Sequence, residues 1–168
     1  MVLAALLSVL SLLQLPQPPK HLTIAATASA ATAAPGSKVS LFLDITPNPG
    51  IHVYAPGAAD YLPIAVTIDP HPGVTLGALK YPKSETLVFD GDRVPVYQKA
   101  FRLVEEVSLA PSLKMATSVT LTGTVKYQAC DDHVCFFPAS APVSWTIGVR
   151  AGKAGGAGKA GGPGKAGV

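Results

Sequence analysis

Cys130 and Cys135 are the only two cysteines in this chain of 168 residues. Four residues separate them in the segment Tyr127-Gln128-Ala129-Cys130-Asp131-Asp132-His133-Val134-Cys135-Phe136-Phe137-Pro138. Thiols this close have three chemical outcomes open to them: a disulfide, a bond to a soft metal ion, or electron exchange with another disulfide. His133 lies between them, and its imidazolium form would favour a thiolate. Asp131 and Asp132 would oppose one. Each neighbour also has a plainer reading, His133 as a solvated loop residue and the two aspartates as turn formers. Phe136 and Phe137 supply apolar cover, and strand alternation should turn one of the two rings toward the core.

Loop-closure entropy weighs against a purely structural bridge. Closing a loop of six residues stabilises by about 2 kcal/mol, whereas closing sixty residues between two sheets gives about 4 kcal/mol. A staple within one hairpin therefore adds little to a sandwich with its own core. A metal site could draw on Cys130, His133 and Cys135, with His52 or Met115 as a fourth ligand. The chain lacks a second Cys-x-x-Cys or a His-x-x-x-His element, which disfavours zinc and leaves copper(I), in an exported protein, as a lesser reading. Neither a metal nor another cofactor is expected. There is no Gly-x-Ser-x-Gly, phosphate-binding glycine loop or His-Glu-x-x-His, and His71, between Pro70 and Pro72, reads as a turn residue.

The elements that must hold the cysteines read as strands. Lys38 to Ile45 alternates polar with apolar residues, and Ser118 to Tyr127 sets apolar residues on one face against threonines on the other. Ile64 to Ile68, Thr86 to Phe89, Lys99 to Glu105 and Val143 to Val149 are similar, and His21 to Ile24 would make a first, edge strand. Turn signals separate them: Pro47-Asn48-Pro49-Gly50, Asp69-Pro70-His71-Pro72-Gly73, Asp90-Gly91-Asp92 and Ala110-Pro111-Ser112. Sixteen prolines argue against long helices. Seven to nine short strands predict an all-β, immunoglobulin-like β-sandwich.

The two ends differ from this middle. Residues 1–19 form a leader whose Met1 to Leu15 stretch is apolar, rich in leucine and too short to span a bilayer comfortably, which takes about 20 apolar residues. It reads as a signal peptide, although no basic residue precedes the apolar run and no small-x-small site follows it directly; the alternative is an apolar first helix or a membrane-associated anchor. Residues 151–168 repeat glycine, alanine and lysine and read as a flexible tail. That tail holds three of the thirteen Lys and Arg residues, so the remainder carries ten bases against ten acids. Such a balance gives no electrostatic footprint for nucleic acid. Residues 20–150 are then the expected domain, exported and soluble thereafter.

The cysteine segment resembles a known family. Tyr127-Gln128-Ala129-Cys130, followed by Cys135 and Pro138, is similar to the cysteine hairpin of the amino-terminal periplasmic domain of DsbD, the thiol:disulfide interchange protein. Weaker matches fall in the same order upstream: Gly50-Ile51-His52-Val53-Tyr54-Ala55-Pro56-Gly57, Tyr61-Leu62-Pro63, Tyr81-Pro82 and Val94-Pro95-Val96-Tyr97. The resemblance implies an immunoglobulin-like domain that passes electrons by thiol–disulfide exchange. Its partners would be a thioredoxin-like or membrane electron donor, supplied by another polypeptide, and periplasmic disulfide-containing proteins such as those of cytochrome c biogenesis. It implies Cys135 as the exposed sulfur that partners attack, Cys130 as its mate and an aromatic cap, for which Phe89 is the candidate. Asp131, Asp132, His133 and Tyr127 are candidates for tuning the pair. The spacing is one residue shorter than in the enterobacterial domain, which puts the detailed loop geometry in question. The alternative is an immunoglobulin-like adaptor whose bridge only holds a hairpin.

Overall fold

A computed structural model describes residues 21–150 except 90 and 116, with only the backbone at Phe89 and Met115. The expected leader and tail lie outside the described residues. Among the described residues twelve strands run in order: β1 (Leu22–Ala28), β2 (Thr32–Ala33), β3 (Lys38–Pro47), β4 (His52–Tyr54), β5 (Ala65–Ile68), β6 (Val74–Leu76), β7 (Glu85–Phe89), β8 (Asp92–Tyr97), β9 (Phe101–Leu109), β10 (Ser118–Tyr127), β11 (Ala129–Cys130) and β12 (Ala139–Val149). They form three four-stranded sheets, β1-β3-β9-β6, β2-β12-β10-β5 and β11-β4-β8-β7. The architecture is the expected immunoglobulin-like β-sandwich. The strand number exceeds seven to nine because the chain adds pieces of two to six residues that carry little periodicity of their own.

Alternation builds the core. Leu41, Leu43 and Ile45 of β3 and Leu103 and Val107 of β9 point inward from the first sheet. Val119, Leu121 and Val125 of β10 and Trp145 and Ile147 of β12 meet them from the second. The Trp145 indole donates a 3.1 Å hydrogen bond to the Phe42 carbonyl, joining the two sheets at one polar point. Gly123 is required where β10 meets β5, because a Cβ there would stand 2.5 Å from the Thr67 carbonyl oxygen. As expected, β1 is an edge strand, though it runs on to Ala28, paired with β3 throughout.

The third sheet carries the cysteines, and its two faces have separate environments. Val53, Tyr97 and Ala129 look into the main core. Tyr54, Val94, Val96 and Cys130 look the other way, into a second small cluster completed by Ala58, Tyr61 and Leu87. Proline in β8 is tolerated because the ladder uses its acceptor: the Pro95 carbonyl takes the Ala55 N–H at 2.9 Å. β7 and β8 close as a tight hairpin from Phe89 to Asp92, with Gly91 at φ 87°.

Candidate functional site

The cysteines face each other across a tight hairpin. Phe136 N–H donates to the Ala129 carbonyl at 2.9 Å, and Asp131 N–H donates to the Val134 carbonyl at 3.0 Å. Cys130 and Cys135 sit between these bonds as a non-hydrogen-bonded cross-strand pair, the position where side chains approach most closely. They form a disulfide with an S–S distance of 2.09 Å and a Cα–Cα distance of 4.0 Å.

The turn is shaped by a side chain. Asp131 Oδ1 accepts the backbone N–H groups of His133 and Val134, both at 2.8 Å. These two bonds, the Val134 one first, hold the Asp131 carboxyl below its ordinary pKa. Asp131 thus serves as a turn former, with its charge fixed at the edge of the site. Asp132 and His133 are exposed at the tip. Tyr127 is 1% exposed and belongs to the inward face of β10 and the main core. Phe136 is half-buried and stacks on His21 at 3.8 Å, whereas Phe137 is 95% exposed. The Phe89 side chain, proposed as the cap, lies outside the described residues.

The two sulfurs have unequal surroundings. Cys130 is 1% exposed, while Cys135 is exposed. The difference follows from position: β11 pairs with β4, so Cys130 is a strand residue opposite His52, and Cys135 lies beyond the hairpin tip with no further sheet neighbour over it among the described residues. Beneath the bridge, β4 adds groups that the cysteine segment does not show. The Tyr54 hydroxyl lies 3.4 Å from both Sγ atoms, and in the disulfide it alone can donate. Its ring stacks on Tyr61 at 4.2 Å and meets His52 edge-on at 5.5 Å. Burial, and secondarily Tyr61, pushes the Tyr54 hydroxyl pKa up, so it stays protonated through neutral pH. His52 is 4% exposed, and burial holds its pKa below the usual imidazole range against a smaller pull from Asp132 and Asp131.

Together these residues line a small cleft floored by Leu87 and Val94, with an internal volume of about 60 Å³. The structure brings Asp131, His133 and both cysteines to it and leaves Tyr127 out. The aromatic floor was missed from residue types alone. Its sequence signals were the two family-like segments that contain His52 with Tyr54 and, further on, Tyr61. Among the described residues, no group of three or more His, Cys, Asp or Glu is arranged to hold a metal ion. Also among them, no helix is long and apolar enough to cross a membrane.

The family model of the amino-terminal domain of the thiol:disulfide interchange protein DsbD matches residues 14–144. The chain belongs to the DsbD amino-terminal domain family. Similar solved structures include the amino-terminal periplasmic domain of ScsB from Proteus mirabilis, with 15% identity and a TM-score of 0.50 over 77% of this chain and 49% of that one. The reduced amino-terminal domain of Neisseria meningitidis DsbD shares 18% identity with a TM-score of 0.42, over 72% of this chain and 82% of that one. The chain spans about half the length of the ScsB structure. No curated protein matches it in sequence.

Proposed function

We propose that this protein is an exported thiol–disulfide exchange module that reduces partner disulfides through Cys135, with Cys130 as the resolving thiol. The observation that carries the reading is the unequal burial of the two cysteines, Cys135 exposed and Cys130 at 1%. A partner can reach one sulfur, and the other waits behind it within bonding distance. In the reduced protein the Cys135 thiolate attacks a partner disulfide, forming a mixed disulfide and expelling one partner thiolate. Cys130 then attacks Cys135 Sγ, which releases the second partner thiolate and closes the Cys130–Cys135 bond. Two electrons pass to the partner and the module is left oxidised.

Family membership supports this chemistry, and the likeness to the amino-terminal periplasmic domain of ScsB supports the same compartment. On this reading residues 1–19 are a cleavable leader, residues 20–150 the working domain and residues 151–168 a tail. A thioredoxin-like or membrane donor re-reduces the bridge, and Phe89 shields it between encounters. Asp132 and His133 at the tip bias the thiol chemistry electrostatically.

The test is a trap. A Cys130→Ala variant should accumulate mixed disulfides through Cys135 in the exported fraction, detectable by mass spectrometry and released by reductant. A bridge potential well below about −300 mV with no trapped partner would instead make the bridge a hairpin staple.

A further inference from the structure

We propose that His52 is the proton acceptor for Cys130 in the resolving step. The inference rests on the exchange reading above and assigns a task that reading leaves open. Cys130 must be a thiolate to attack Cys135, yet at 1% exposure almost no water can solvate the charge. A base must therefore take the proton inside the site. Cys130 and His52 are direct partners in the β11–β4 ladder. Opposite residues of an antiparallel pair project from the same face with Cβ atoms about 5 Å apart. Both line the cleft under the bridge, and His52 is 4% exposed.

The surroundings suit a base that cycles. Burial keeps the imidazole neutral near pH 7, the form that accepts a proton. Once formed, the imidazolium faces the Asp131 and Asp132 carboxylates on the hairpin. The other titratable groups around it are Tyr54 on its own strand, Tyr61 stacked on Tyr54, and His133 at the tip. Glu85, on β7 two strands away, is occupied by Lys99 at 3.0 Å. The step balances without another reactant. The Cys130 S–H proton moves to a ring nitrogen of His52, the sulfur lone pair forms the bond to Cys135 Sγ, and the partner thiolate leaves with the electron pair. The imidazolium then returns its proton to water or to that thiolate.

The experiment uses the reduced protein and the chromogenic disulfide dithiobis(nitrobenzoate). Attack by Cys135 releases a first coloured thiolate, and resolution by Cys130 releases a second. His52→Gln should leave the first phase unchanged and slow the second roughly tenfold or more near neutral pH. The gap should close in strong alkali, where hydroxide removes the proton. A second phase equal to wild type at every pH would overturn the proposal, and so would equal slowing of both phases, the mark of a merely structural ring. Absence of the first phase in the wild type would defeat the exchange reading itself and this proposal with it. Should the variant not fold, the wild type still decides. The midpoint of its second-phase pH profile must coincide with the His52 ring titration seen by NMR, and separate midpoints would refute the assignment.

Discussion

At the scale of single residues, the site depends on one hydroxyl that touches both sulfurs. Tyr54 Oη sits 3.4 Å from Cys130 Sγ and from Cys135 Sγ, so its proton can follow whichever sulfur carries more charge. A donor of this kind favours the thiolate and hence the reduced state. Tyr54→Phe keeps the ring stacked on Tyr61 and removes only the donor. The expected result is a bridge potential more negative by roughly 20 mV, equivalent to about 1 kcal/mol for a two-electron couple. Redox equilibration against glutathione measures it, and an unchanged potential would mean that the hydroxyl does not discriminate between the oxidation states. Tyr54 was hard to find in the sequence for a physical reason. It lies 76 and 81 residues from the two cysteines, and only the β11–β4 pairing brings it beneath them. Asp131 was easier, because an aspartate that accepts the next N–H groups acts within its own turn.

At the scale of elements, the hairpin is held by more than its disulfide. Backbone bonds on either side of the cysteine pair, the Asp131 turn and the Gln128 side chain donating to the Phe136 carbonyl at 3.1 Å all close the same short loop. Reduction should therefore lower global stability by no more than about 2 kcal/mol, the loop-entropy value for six residues. Chemical denaturation with and without reductant checks this, and a loss beyond that value would point to a bridge that organises the fold. Strand legibility followed the same division between local and distant causes. Ser118–Tyr127 was readable to the residue because its inward apolar and outward threonine positions repeat for ten residues. Asp92–Tyr97 was not, since Pro95 breaks the expected pattern and is accommodated only because its carbonyl meets Ala55. His52–Tyr54 and Ala129–Cys130 are too short to show a period, and they are the strands that bring the aromatic groups beneath the bridge.

At the scale of the whole molecule, two buried titratable groups give stability opposite pH slopes. Glu105 points inward between Leu103 and Val107 of β9 and is 8% exposed. It borders a small void with Leu41, Leu79 and Trp145, and burial pushes its pKa up from the usual carboxyl value of 4.5. The folded state then holds a proton that the unfolded chain has already released. Stability linked to Glu105 is full below about pH 4.5 and is lost as pH rises through the folded value. His52 acts in reverse: its folded pKa lies below the usual 6.5, so its share is full above 6.5 and lost as pH falls through the folded value. Glu105→Gln removes the first slope while keeping the side-chain shape. It should melt with the wild type in acid and above it at neutral and alkaline pH, with a difference that grows and then levels once the wild-type carboxyl is ionised. Thermal melts across that range test it, and a difference independent of pH would mean that the Glu105 carboxyl titrates in the fold as it does in the unfolded chain. Because Glu105 lies in the sandwich core and the bridge on the outer face of the third sheet, the variant should keep the wild-type rate of disulfide exchange. That separation allows the stability of the scaffold to be changed without touching the chemistry at Cys135.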